Sequence, residues 1–150
     1  MSKVLQKGCG VDMNKHICKA KRISNGEWIE GYMVGDNIML NDVYIDSQNE
    51  FGINSYYHVN PKTVCRYAEF QNANGQSIFE GDILLWECMD PSGEFLSQRN
   101  KIVFKDGCYV AVNMKSHIRG VELLKNFLDL ESNEEVTIEG NIHDSEVTNE

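Results

Sequence analysis

Turn-forming clusters punctuate this chain so often that they confine it to short strands. They are Asn25-Gly26, Gly35-Asp36-Asn37, Asn72-Ala73-Asn74-Gly75, Glu80-Gly81-Asp82, Pro91-Ser92-Gly93 and Lys105-Asp106-Gly107. Asn, Asp and Gly accept the left-handed backbone that tight turns demand. Between the turns lie runs with strand character: Ile17–Ile23, Trp28–Val34, Ile38–Leu40, Val43–Ile45, Ser55–Val59, Thr63–Phe70, Ile83–Met89, Lys101–Phe104, Cys108–Met114 and Glu135–Ile142. Residues 46–54 read as a polar loop, and a second loop runs from Pro91 to about Asn100. Pro61 sets a rigid corner and pushes Asn60 towards extended geometry. Only Gly120–Leu130 carries a helical stripe, with Val121, Leu124 and Leu128 in line and Leu123, Phe127 and Leu130 beside it. About a dozen short strands and one short helix make the chain mainly β.

The chain has 150 residues, 14 basic and 23 acidic side chains, and a formal net charge of −9. No apolar run approaches the ~20 residues needed to span a bilayer, and the first residues lack the apolar stretch of a secretory signal. The expectation is a cytoplasmic protein with no membrane role. The charge is uneven: residues 1–22 hold Lys3, Lys7, Lys15, Lys19, Lys21 and Arg22 against Asp12 alone. From Asp129 onward there is no Lys or Arg. Residues 1–16 show no sustained period and read as an N-terminal extension, and residues 146–150 as an acidic tail.

Sites for chemistry are sparse. The histidines His16, His58, His117 and His143 form no metal-binding pair, and no nucleophile elbow, Walker loop or dinucleotide fingerprint occurs. The five cysteines, Cys9, Cys18, Cys65, Cys88 and Cys108, contain no C-x-x-C spacing, so reduced structural thiols are expected. Cys65, Cys88 and Cys108 lie in strand-like surroundings where a thiol packs as a small hydrophobe. Glu80-Gly81-Asp82 reads as a turn rather than a metal pair: Gly81 supplies an unusual φ, and Asp82 accepts backbone N–H groups. Trp28, Tyr32, Tyr44, Tyr56 and Tyr57 have the composition of a stacking platform for single-stranded nucleic acid. Such a platform needs a basic groove, and residues 23–61 contain no Lys or Arg. The reading is therefore no catalytic residue, no metal and no cofactor.

Five segments in order resemble the YopX family of phage and prophage proteins. They are Ala20–Tyr32, with Trp28 and Gly31; Val59–Tyr67, with Pro61 and Thr63; Asn74–Ile83, with Gly75, Gly81 and Asp82; Val103–Gly107; and Ile138–His143, with Gly140 and Asn141. Cys65–Phe70 stands where the family carries a glycine-containing stretch. The resemblance spans about residues 17–145. It implies an N-terminal β subdomain, about 17–63, joined to an SH3-like small barrel, about 64–145. It implies a bacterial host cell and brings no activity with it. The leading expectation is a non-enzymatic β module that binds another protein through edge strands, leaving a homo-oligomer open. The rivals are a nucleic-acid-binding accessory protein using the basic arm, and an enzyme with a Cys/His site assembled from distant segments.

Overall fold

The computed structural model describes residues 16–115, 121–130 and 136–145. Residues 1–15 of the expected extension, the tail 146–150 and Gly120 lie outside the described residues. The chain is mainly β and divides into two compact units, one up to Tyr67 and the other Ala68–Ser145.

The first unit is an antiparallel meander of β1 (Cys18–Lys21), β2 (Trp28–Val34), β3 (Ile38–Ile45) and β4 (Phe51–His58), laid out β4-β3-β2-β1. The Asn25-Gly26 turn sets the β1–β2 register, which puts Lys21 opposite Trp28 and Cys18 opposite Gly31. Leu40 comes so close to Gly31 that a Cβ there would overlap its carbonyl oxygen. Pro61–Thr63 forms a 3-10 turn capped by Asn60, whose Oδ1 accepts from the Lys62 N–H at 3.0 Å. Beyond it, the start of β5 (Cys65–Gln71) pairs with β1. An antiparallel bridge also joins Arg22 to Val59, so the far end of β4 meets the end of β1. Ala20, Met39 and Val59 are fully buried, with Cys18, Ile29, Met33 and Val64 packed on them.

The second unit holds β6 (Ser77–Phe79), beside β5, and a five-stranded antiparallel sheet. The sheet contains β7 (Asp82–Met89), β8 (Phe95–Lys105), β9 (Cys108–Asn113), β10 (Val121–Leu123) and β11 (Val136–Asn141). Its order is β10-β9-β8-β7-β11. Numbered along the chain, that is the 5-1-2-3-4 order of a small SH3-like barrel, with helix α1 (Leu124–Leu130) before the last strand. Leu124, Phe127 and Leu128 bury one stripe of α1 against Ala68, Ile78, Leu84, Ile102, Ala111 and Val136.

Four readings of the sequence need correction. Residues 46–54 are not all loop: the turn ends at Glu50, and β4 begins at Phe51. The Pro91 loop likewise ends at Glu94, because Phe95–Asn100 pair with β7 despite their polar residues. Val121–Leu123 belong to β10 rather than to the helix, leaving Leu123 45% exposed. Ile38–Ile45 form one strand, kept continuous across the polar Asn41 and Asp42 by register shifts against β4.

Glu69, within β5, has φ 66°. That left-handed conformation suits glycine and costs an ordinary residue about 1–2 kcal/mol. Glu69→Gly is expected to hold or raise stability, and Glu69→Val to lower it by about 1–2 kcal/mol. Denaturant unfolding of the two variants checks this; equal losses would refute the strain.

Candidate functional site

Two of the motif segments interlock in the second unit. Gly81 turns the chain with φ 86°, donates its N–H to the Ile102 carbonyl at 2.7 Å and accepts from the Ile142 N–H at 2.9 Å. A side chain there would press to 3.2 Å from both Asn141 Nδ2 and Ile142 Cγ1. The turn folds the Asp82 carboxylate back: Oδ2 accepts from the Phe79 N–H at 2.8 Å and Oδ1 from Asn141 Nδ2 at 2.9 Å. Asp82 has no exposed surface. Asn141, opposite Asp82 in the β7–β11 register, accepts from the His143 N–H at 2.9 Å. Its own N–H donates to Asp144 Oδ2 at 2.8 Å. Gly140 sits at a register shift in β11, with the Asp144 carboxylate where its Cβ would be. These polar atoms hold the protein's own turns, so the group is a clamp for β11.

The other motif residues also hold the frame. Thr63, fully buried, accepts from the Lys21 N–H at 2.9 Å and donates to the Asn60 carbonyl at 2.7 Å. Gly75 and Gly107 occupy their turns, with φ 80° and 85°. Arg99 grips Glu139 with two hydrogen bonds, Nε to Oε1 at 2.7 Å and Nη2 to Oε2 at 2.9 Å. They join the strands flanking β7.

Binding geometry lies in the first unit instead. β4 is the outer strand there. Its eight residues, Phe51–His58, include no Lys, Arg, Asp, Glu or Pro. Phe51 is 60%, Ile53 47% and Tyr56 57% exposed. At the His58 end a cleft of about 400 Å³ is lined by Arg22, Ile23, Ser24, Tyr56, Tyr57 and His58. The Arg22 guanidinium lies 4.1 Å from the centre of the Tyr57 ring. Its Nη1 is 3.9 Å from Glu27 Oε2, and its Nε is shielded from solvent, with no hydrogen-bond partner among the described residues. Tyr56 meets His58 edge-on, with ring centroids 6.3 Å apart.

Cations reach the aromatic residues from outside the stretch that lacks them. Lys19 and Lys21 stand 4.9 and 5.9 Å from the Trp28 ring centre, and Arg22 covers Tyr57. Hairpin register signals the Trp28 pair; Arg22 and Tyr57, 35 positions apart, leave no local signal. The thiols are mixed: Cys65 is buried and donates to the Thr63 carbonyl at 3.3 Å, whereas Cys88 and Cys108 are only half-buried. None of the described cysteines lines the His58 cleft. Among the described residues no three His, Cys, Asp or Glu side chains are grouped to hold a metal ion. Among the described residues no helix is long and apolar enough to cross a membrane.

Among solved structures, protein EF1440 from Enterococcus faecalis is similar, with a TM-score of 0.57 and 18% identity over 85% of this chain and 92% of that one. This likeness is one of fold. No family model matches the sequence, and no curated protein matches it.

Gly81→Val and Asn141→Ala are each expected to cost about 1–3 kcal/mol, through backbone strain and through lost bonds to the buried carboxylate. Unchanged melting temperatures would refute the clamp. Arg99 holds the Glu139 carboxyl below its usual range, chiefly by hydrogen bonding. A lowered folded pKa means stability that is present above the ordinary glutamate range and lost as pH falls through the folded value. The pair is exposed, so its contribution is small. Arg99→Gln is expected to raise the Glu139 titration midpoint, read by NMR; an unmoved midpoint would remove Arg99 as the cause.

Proposed function

We propose that the chain is a YopX-like phage or prophage protein that works in the bacterial cytoplasm as a non-enzymatic module, binding another protein along β4. The observation that carries this reading is the uncharged outer edge of β4, to which no further strand is paired among the described residues. A strand edge is a template for pairing, and proteins that avoid pairing blunt it with charge, proline or a short strand. β4 has eight residues, no charge and no proline. Its exposed Phe51, Ile53 and Tyr56 offer side-chain pockets to an added strand, while main-chain hydrogen bonds supply affinity.

The family reading draws support from the Gly81, Asp82 and Asn141 clamp, which joins two separate segments of the resemblance through specific hydrogen bonds. Nucleic acid is disfavoured: Lys19 of β1, over Trp28, and Arg22 just beyond β1, over Tyr57, cover aromatic faces that bases would stack on.

The test is affinity purification from phage-infected or lysogenic cells with the wild-type chain and with Phe51→Lys/Ile53→Lys. Both replaced side chains are exposed, so the melting temperature should hold while the co-purifying protein is lost. Retention of that protein by the folded variant would overturn the reading. So would salt-resistant, sub-micromolar binding to labelled duplex or single-stranded DNA in fluorescence anisotropy.

A further inference from the structure

We propose that the cleft beside His58 captures the free C-terminal carboxylate of the segment that pairs with β4. The inference rests on the strand-pairing reading and gives the partner its chemistry. The first argument is where the open edge stops. The His58 carbonyl accepts from the Ile23 N–H at 3.1 Å, and the Asn60 N–H donates to the Lys21 carbonyl at 2.9 Å. The end of β1 therefore occupies the outer side of the chain from His58 onward. Tyr56, two residues earlier, turns its backbone groups to that same side, and they face the open edge. A segment added to β4 runs out of edge at His58. A chain that continued would have to swing away, whereas one that terminates delivers its carboxylate into the cleft. Such a segment runs parallel to β4.

The second argument is what waits there. Arg22 lines the cleft with Ser24 and His58. Among the described residues its solvent-shielded Nε has no hydrogen-bond partner, and Glu27, 3.9 Å from Nη1, is within ion-pair reach but beyond hydrogen-bond distance. A guanidinium presents its N–H groups in a planar fork that matches a carboxylate. Stacking on Tyr57 fixes the plane of that fork. Ile23 and the exposed ring of Tyr56 make an apolar wall for the last side chain of the partner. A volume of about 400 Å³ lies within the ordinary range for ligand sites. The net charge of −9 repels anions at a distance, but it is screened beyond about 8 Å, so the local cation decides at contact.

The experiment uses the full chain and a defined probe, the peptide N-acetyl-Thr-Val-Thr-Val, titrated while backbone amides are followed by NMR. Three forms are compared: the free acid, the C-terminal amide, and an amide in which one internal threonine is replaced by aspartate. The free acid should shift Ile23, Ser24 and Tyr56–His58 and bind at least about tenfold tighter than the amide, the gain expected from a charge-assisted bond. Arg22→Gln should erase that difference while the β4 shifts persist, and Glu27→Gln, at an exposed side chain, should widen it. Equal affinity of acid and amide, with β4 perturbed by both, would overturn carboxylate capture and leave strand pairing standing. An aspartate amide as tight as the free acid would overturn the terminal carboxylate. No perturbation of β4 by any form would overturn the strand-pairing reading itself.

Discussion

The second unit depends on a buried carboxylate. Taking an Asp side chain out of water is costly unless hydrogen bonds surround it, and Asp82 is completely enclosed. Its compensation comes from the Phe79 N–H, three residues back, and from Asn141, 59 residues on. The local bond needs the sharp turn that Gly81 allows. The distant bond needs β11 in register with β7. Satisfying Asp82 therefore selects one turn and one strand pairing together, and Ile142 closes the arrangement by donating to the Gly81 carbonyl. Because β11 follows α1, fixing it also returns Val136 to the core beside Leu124 and Phe127.

A smaller hydrogen-bond relay does comparable work in the first unit. Asn60 caps the Pro61–Thr63 turn and donates its own N–H to the Lys21 carbonyl, while Thr63 accepts from the Lys21 N–H. Both backbone groups of Lys21 are thus tied to one turn, and Arg22 is carried to Val59. The structural device and the candidate binding geometry share a cause: the relay that anchors β1 also ends the free edge of β4 and stands Arg22 over Tyr57.

Turn chemistry was the legible part. Asn25-Gly26, Asn72–Gly75, Gly81 and Asp106-Gly107 all mark observed turns, because local backbone preference decides them. Strand starts were harder. Gly52 and Asn54 weaken any strand reading of Phe51–Asn54, yet pairing with β3 makes them strand, and Gly52 leaves room for the Tyr44 ring. Ser97–Asn100 are polar for a different reason: β7 pairs along them while β9 joins only from Asn100, so Ser97 and Arg99 remain exposed. Tertiary pairing overrode composition in both places. The Asp82 turn role was readable from its neighbours, but not its bond to Asn141. The cleft was not readable at all, since Arg22 and Ser24 reach Tyr56–His58 only through the Arg22–Val59 bridge.

Electrostatics then narrow what the open edge can accept. Acids outnumber bases 23 to 14, so within the screening length a polyanion such as nucleic acid meets more like charge than opposite charge. Of the cations on β1, Lys19 and Lys21 lie against Trp28, and Lys21 is 94% buried. Arg22 has its face on Tyr57, and its Nε has no hydrogen-bond partner among the described residues. One guanidinium at the end of a neutral, apolar edge suits a partner with a single negative charge following an extended apolar stretch. A phosphodiester backbone repeats its charge at every unit and would meet Glu27, Asp42, Asp46 and Glu50 along with that one arginine. A peptide carboxyl terminus carries its charge once, where the edge stops.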